Sequence, residues 1–419
     1  MSRVVEPLQQ RFDGQISVPG SKSVANRALI CAALAIGESS ISNLPTGDDT
    51  EALLTALPAL GVGVVREGTS AVITGCNRPQ AATVHARLAG TSSRFLVGFA
   101  ALGEHPISVD GDEPLRRRPL QPLLDALRQL QVAVEAAEER LPVTLTGPAQ
   151  GNRVQVSGDI SSQFISALMM IGPRLESGLT IELTSNVVSQ PYVELTASVM
   201  NQFGAAVTLT PSAISIPADT YVPSAVHVEA DASSASYPLA LAAVSGSRCT
   251  IESLGSSSRQ GDVAILDILE RMGCMVVVES NRCEVIGPAM GTLNGIDINM
   301  ANCSDLVPTV ATIACLARTP STISGVGFIR AKESDRLSDL ASELRKAGAI
   351  VDVTNDGLHI TPAVLHGAEF DTHHDHRLAM SFGVLGHVIP GVVVQDPDVV
   401  TKSWPTFWSD IHRLVRADA

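Results

Sequence analysis

The sequence predicts an α/β protein of two domains, each assembled from three copies of a unit of about seventy residues. Three observations carry that prediction. The chain has 419 residues, too many for one ordinary hydrophobic core. Hydrophobic residues make up 45% of it and charged residues 17%, which suits large, well-covered cores. A pattern also repeats in two separate registers. In the first register a small polar residue opens an apolar run of helix length, at Ser23, Thr91, Ser161, Ser233, Ser304 and Asp375, with spacings of 68, 70, 72, 71 and 71. In the second an amphipathic helix reaches a glycine-like stop before a valine-rich strand, at Gly61, Gln131, Gly204, Gly273 and Gly348, with spacings of 70, 73, 69 and 75. Ser, Thr or Asp before a helix and Gly just past one are physically motivated punctuation.

Within one unit the order reads helix, strand, helix, strand, strand, strand. The first copy places these at 22–34, 39–43, 48–60, 63–66, 71–75 and 83–87. The first helix of each copy is apolar nearly all round and is expected to be buried. The second, as in LSDLASELRKAG or VAILDILERMG, is amphipathic and belongs on the surface. The sixth copy lacks its closing strands after a last helix at 404–415, while residues 3–7 and 14–18 are strand candidates without a unit. Residues 1–19 are therefore expected to complete the C-terminal half. The domains then run over 20–229 and over 1–19 plus 230–419. Buried helices that open with Ser, Thr or Asp present N–H groups and a partial positive charge of roughly half a unit, so their starts could form an anion site.

Composition narrows the function. A formal charge of −14 with 3% aromatics argues against nucleic acid and against an anionic membrane surface. An anionic substrate would need a local basic cluster. The seven cysteines, Cys31, Cys76, Cys249, Cys274, Cys283, Cys303 and Cys315, form no CxxC pair, which favours a reducing, cytoplasmic compartment over zinc sites or a disulfide framework. The first fourteen residues carry no signal-peptide run, and no apolar stretch is long enough to span a bilayer.

Polar residues gather at the starts of the apolar helices. PGSKSVANR presents Lys22, Ser23 and Arg27, the last two on one face. Its glycine spacing does not fit a P-loop. AGTSSR places Gly90, which allows close backbone approach, beside Thr91. DEPLRRRP sets Arg118 at a helix start. Ser161, Ser162 and Gln163 open an apolar helix and need polar partners once buried, and Ser189-Gln190-Pro191-Tyr192 follows. The C-terminal half adds Asp305, then Lys332, Glu333 and Arg336 in KESDRL, then Asp375, His376 and Arg377 in DHRLAM, and Lys402. His373-His374-Asp375-His376 looks like a metal site, but adjacent residues at a helix start point in different directions, and no metal is expected. Asp231 with SSAS reads as a helix cap at the domain crossing rather than a site.

PGSKSVANRAL, AGTSSR, RRRP, SSQF, SQPY, DASSASY, KESDRL and DHRLAM stand in the order found in the 5-enolpyruvylshikimate-3-phosphate synthases (3-phosphoshikimate 1-carboxyvinyltransferases). The chain resembles that family from about Gly14 to Trp408. The resemblance implies a two-domain inverted α/β, barrel-like fold, with three βαβαββ repeats per domain and an active site in the interdomain cleft. Cations and helix starts from both halves would repel until the anions bridge them, so an open form without ligand and a compact form with shikimate 3-phosphate are expected. The resemblance also implies transfer of the enolpyruvyl group of phosphoenolpyruvate to the 5-hydroxyl of shikimate 3-phosphate, by addition and elimination with release of phosphate. This is a step of the shikimate pathway to chorismate and the aromatic amino acids. No cofactor is implied, the partners are the two small substrates, and a monomer is expected.

By position in the family motifs, shikimate 3-phosphate is expected at Ser23, Arg27, Ser161, Ser162, Gln163, Ser189, Tyr192, Asp305 and Lys332. Phosphoenolpyruvate is expected at Lys22, Gly90, Thr91, Arg118, Gln163, Arg336, His376, Arg377 and Lys402. Lys22, Asp305 and Glu333 are the expected catalytic groups: Asp305 resembles the base for the 5-hydroxyl and Glu333 the proton donor to the methylene carbon. Leu88 and Phe328 stand where many members have Asn, so one polar contact to each substrate is missing or replaced. Gly90 implies inhibition by glyphosate, although Phe95 stands where Pro is frequent. Two other readings compete. The sister transferase acting on UDP-N-acetylglucosamine usually carries a cysteine in the loop matching 113–119, and this chain has none there. A non-catalytic anion-binding repeat protein would not place Asp305 and Glu333 among its basic groups.

Overall fold

The structure is a computed structural model and describes residues 1–416. The chain packs as two compact units, one of Gly20–Glu229 and one of Met1–Pro19 with the chain from Ala230 onward. At the crossings, the Ser21 N–H donates to the Glu229 carbonyl (2.7 Å) within the first unit. The Asp231 N–H donates to the Pro19 carbonyl (2.9 Å) within the second.

The unit Gly20–Glu229 holds three four-stranded sheets. In the first, the order is Ala225–His227, Glu38–Ser42, Ser70–Thr74, Gly63–Glu67. The inner pairs are antiparallel, and Ala225–His227 joins parallel, with Val226 opposite Ile41. Ala82–His85 lies parallel to Ile107–Asp110 in the second sheet, and Arg153–Val156 parallel to Leu179–Leu183 in the third. Each repeat therefore hands its last strand to the next sheet, and the third hands its strand back to the first. Strand residues alternate in the expected way: Ser39 and Ile41 point inward, while Glu38 and Ser40 point out. The inward faces meet the helices Lys22–Leu34, Gly90–Ala100 and Ser162–Ile171, which are buried along almost their whole length. The amphipathic Gln121–Gln129 shows only one face, Leu123, Leu124, Ala126 and Leu127, to the core.

The second unit repeats this plan around Ala232–Ser245, Val307–Ala314 and His376–Gly386. Asp13–Ile16 pairs parallel with Arg248–Glu252, and Ser2–Val4 pairs antiparallel with Val393–Gln395 in a three-stranded sheet. The N-terminal strands thus complete the sheets of the fourth and sixth repeats.

The five helix stops share one backbone conformation. Gly61, Gly204, Gly273 and Gly348 have φ between 84° and 105°, and Gln131, the one non-glycine, has φ 60°. The helix starts lie slightly apart from the polar residues that mark the repeat. The first buried helix begins at Lys22 with Ser21 as its cap, and the second begins at Gly90. Among the described residues no helix is long and apolar enough to cross a membrane.

Candidate active site

In the unit Gly20–Glu229, Lys22, Ser23, Gly90, Thr91, Ser161, Ser162 and Gln163 sit at the N-terminal ends of buried helices, Arg27 one turn further in, Ser189 and Tyr192 at the start of Gln190–Gln202, and Arg118 just past Glu113–Arg116. Ser21 accepts from the Val24 N–H and turns the chain into its helix, which sets Lys22 beside Asp49 with Nζ–Oδ2 at 3.0 Å. Asp49 is the second residue of Asp48–Ala56 and is 2% exposed. Its carbonyl accepts from Ser92 Oγ (2.7 Å), Ser92 Oγ accepts from Asn26 Nδ2 (3.1 Å), and Asn26 Oδ1 accepts from Thr50 Oγ1 (3.2 Å). A buried polar chain therefore ties three helices together behind Lys22. Asp49 escaped the sequence reading because GDDT resembles an ordinary acidic helix start.

Arg27 is 1% exposed and is met by the protein itself. It donates to Thr196 Oγ1 (2.7 Å), the Ser23 carbonyl (2.9 Å), Ser166 Oγ (3.2 Å) and the Tyr192 carbonyl (3.3 Å). Its guanidinium also lies over the rings of Phe95 and Tyr192, at 5.2 and 5.8 Å. Burial lowers its pKa to about 10, so it stays charged at neutral pH. Arg27 thus braces Ser23 and Tyr192 as well as marking the site. Ser166 and Thr196, which receive it, are not among the expected residues; Ser166 lies inside an apolar helix and Thr196 on the buried face of an amphipathic one, where a hydroxyl gives little warning.

Gln163 Nε2 donates to Thr91 Oγ1 (3.2 Å), joining the second and third buried helices. Ser189, at φ 56° and ψ 46°, caps the helix that carries Tyr192, a left-handed conformation that costs a residue other than glycine about 1 kcal/mol or more. Of the three adjacent arginines, Arg116 forks onto Asp110 (2.9 and 2.6 Å) and Arg117 reaches Glu113 (3.4 Å). Arg118 instead crosses to Gly90: a Cβ there would lie 2.4 Å from its Nη1.

In the second unit the expected residues form an ion network around two arginines. Arg336 is 1% exposed and donates to Asp375 through Nε (2.7 Å), to Asp305 through Nη1 (2.9 Å) and to Glu333 through Nη2 (2.9 Å). Burial alone would lower its pKa, but Asp375, Glu333 and Asp305 outweigh it and hold the group well above its ordinary value. Arg377 donates to the other oxygen of Asp305 (2.8 Å). Lys332 Nζ stands 3.8 Å from Asp305, and Lys402 Nζ 3.9 Å from Glu333. Asp375 is fully buried, caps its helix by accepting from the Arg377 N–H (2.9 Å), and also accepts from Ser334 Oγ (3.1 Å). Asp375 thereby fixes Arg336, Ser334 and the start of its own helix together. His376 is buried beside it, Nδ1 to Oδ1 3.5 Å.

The neighbouring histidines take separate partners. His373 Nε2 lies 3.0 Å from Glu343 and His374 Nδ1 3.3 Å from Asp396. Four of the six buried-helix starts carry a side-chain cap, and those at Gly90 and Ser304 do not. Ser21, Ser161, Asp231 and Asp375 each cap their own helix by a side-chain acceptor. Those N–H groups are partly spent, and two of the caps are carboxylates, so side-chain cations must carry most of the attraction for an anion.

The family model described as EPSP synthase (3-phosphoshikimate 1-carboxyvinyltransferase) matches residues 7–411. The chain belongs to the EPSP synthase family. Among its relatives, a 3-phosphoshikimate 1-carboxyvinyltransferase of Methanoculleus marisnigri is 38% identical over 96% of both chains. One from Trichormus variabilis is 36% identical over 98% of both. The fold is similar to that of an EPSP synthase from Acinetobacter baumannii, with a TM-score of 0.82 and 26% identity over 99% of this chain and 98% of that one. It also resembles the enolpyruvyl transferase NikO of Streptomyces tendae, at a TM-score of 0.79 and 17% identity over 99% and 97% of the two chains. Membership of the EPSP synthase family thus accounts for the α/β architecture.

Proposed function

We propose that this chain transfers the enolpyruvyl group of phosphoenolpyruvate to the 5-hydroxyl of shikimate 3-phosphate. The hydroxyl oxygen bonds to C2 of the donor while C3 gains a proton, giving a tetrahedral adduct. Loss of a proton from that methyl group and departure of inorganic phosphate then restore the enol ether. Such chemistry needs a base, an acid and dense positive charge for four anionic groups.

The observation that carries the reading is the network of Arg336, Arg377, Lys332 and Lys402 on Asp305 and Glu333. The cations hold two carboxylates in place before substrate arrives. Substrate carboxylate and phosphate compete for those cations, releasing Asp305 to accept the hydroxyl proton and Glu333 to serve the methylene carbon. Lys22, aimed by Asp49, and Arg118, crossed over Gly90, supply positive charge for the donor. Arg27 holds Ser23 and Tyr192 for the acceptor. Residues 20–229 and residues 1–19 with 230–419 are, in this reading, two domains of three repeats each. The test is phosphate release from phosphoenolpyruvate with shikimate 3-phosphate as acceptor. Release that depends on UDP-N-acetylglucosamine instead would favour the sister activity, and release with neither would remove the catalytic reading.

A further inference from the structure

The segment Gln260-Gly261-Asp262 lies outside the residues assigned above, yet it reaches the ion network. Gln260 Oε1 accepts from the Ala232 N–H (3.0 Å), and its Nε2 donates to the Ala230 carbonyl (2.8 Å). The side chain therefore clamps the start of Ala232–Ser245, where Ser233 sits. Asp262 lies in the short turn Gly261–Ala264 leading into Ile265–Arg271 and is 2% exposed. Its Oδ2 accepts from Ser233 Oγ, while its Oδ1 is buried without a hydrogen-bond partner among the described residues. Ser233 Oγ in turn lies 3.4 Å from Arg377 Nη2, the nitrogen that donates to Asp305. The donor sense runs one way: Arg377 to Ser233, Ser233 to Asp262.

A carboxyl group this deeply buried is costly unless it is hydrogen-bonded or paired, and only Oδ2 of Asp262 has such a partner among the described residues. We propose that Asp262 is a positioning residue for the transfer reaction: through Ser233 it orients the Arg377 guanidinium that faces Asp305 and the donor's anionic groups. This rests on the reaction proposed above. Burial, and then the charge of Asp305, push the Asp262 carboxyl up to about 7, against the opposing pull of Arg377 and Ser233; Asp231 adds to the rise. Cys303 is also close enough to feel its charge. In either protonation state Oδ2 still accepts from Ser233, because a proton can reside on Oδ1. The relay therefore depends on an acceptor oxygen and not on a negative charge.

That separates this role from a simple electrostatic or packing one. The wild-type chain is first required to release phosphate; if it does not, the reaction reading fails and not the positioning one. In an active enzyme, Asp262→Ala should raise KM for phosphoenolpyruvate about tenfold, the usual scale for losing one hydrogen bond that orients a charged group. Ser233→Ala should match it, and the double variant should be no worse than either single one. Asp262→Asn keeps an acceptor oxygen for Ser233 and should restore KM to within about threefold of wild type. If Asp262→Ala does not fold, Ser233→Ala and Asp262→Asn decide the matter. Additive effects, an Asn variant as poor as the Ala variant, or an unchanged KM in Ser233→Ala would each overturn the proposal.

Discussion

Gly90→Ala puts the contact between the second buried helix and Arg118 to the test. The added Cβ would meet Arg118 Nη1 at 2.4 Å, Cζ at 3.0 Å and Nη2 at 3.2 Å. Ordinary carbon contacts need about 3.5 Å, so the guanidinium must retreat by about 1 Å. The obstacle is the far end of a flexible side chain, so the fold can give way cheaply. Gly90 is the first residue of its helix, and alanine there is favoured over glycine by up to about 1 kcal/mol. Stability should therefore hold or rise slightly. Binding should not: a shift of about 1 Å breaks a charge-assisted hydrogen bond worth about 1.5–3 kcal/mol, which corresponds to a KM for phosphoenolpyruvate raised by roughly 10- to 100-fold. The assay is phosphate release at varied phosphoenolpyruvate, alongside a thermal melt. An unchanged KM with an unchanged melting temperature would show that Arg118 does not serve the donor from this position.

Three further outcomes are expected. Glu333→Gln should abolish turnover while leaving shikimate 3-phosphate binding by calorimetry largely intact; survival of both would remove Glu333 from the chemistry. Gln131→Gly should raise the urea midpoint by the equivalent of about 1 kcal/mol, because Gln131 holds φ 60° at a helix stop where the other repeats use glycine; no gain would mean that side-chain contacts offset the backbone cost. His387 donates from Nδ1 to the Glu6 carbonyl, and burial lowers its pKa from 6.5 to about 4, with His412 and Arg3 adding to the fall. The unfolded chain then binds a proton that the folded chain refuses, so stability is present above pH 6.5 and falls as pH drops towards 4, by at most about 3 kcal/mol. His387→Gln should flatten that slope in urea midpoints taken between pH 7 and pH 5, and an identical slope would assign it to other groups.

The architecture was legible because its punctuation is local. A helix stop needs a left-handed residue, and a buried helix needs an apolar circumference; both leave marks at a fixed period. The sequence could even tolerate Gln131 at one stop, because its place in the period identified it. The charged site residues were legible as types, since Lys22, Arg336 and Arg377 stand at buried helix starts or in short charged motifs. Their partners were harder to see. Asp49 lies 27 positions from Lys22, and Asp375 lies 39 from Arg336. The first pair forms only once the two helices of one repeat pack together, the second only once two repeats are stacked. Arg27 shows the same limit: its hydrogen bonds to Thr196, Ser166 and the Tyr192 carbonyl span 169, 139 and 165 positions.

The most direct test of the account is the dependence of phosphate release on acceptor. With phosphoenolpyruvate present, release should follow shikimate 3-phosphate concentration to saturation and remain at background with UDP-N-acetylglucosamine. Release that ignores shikimate 3-phosphate, or that requires the nucleotide sugar, would contradict it.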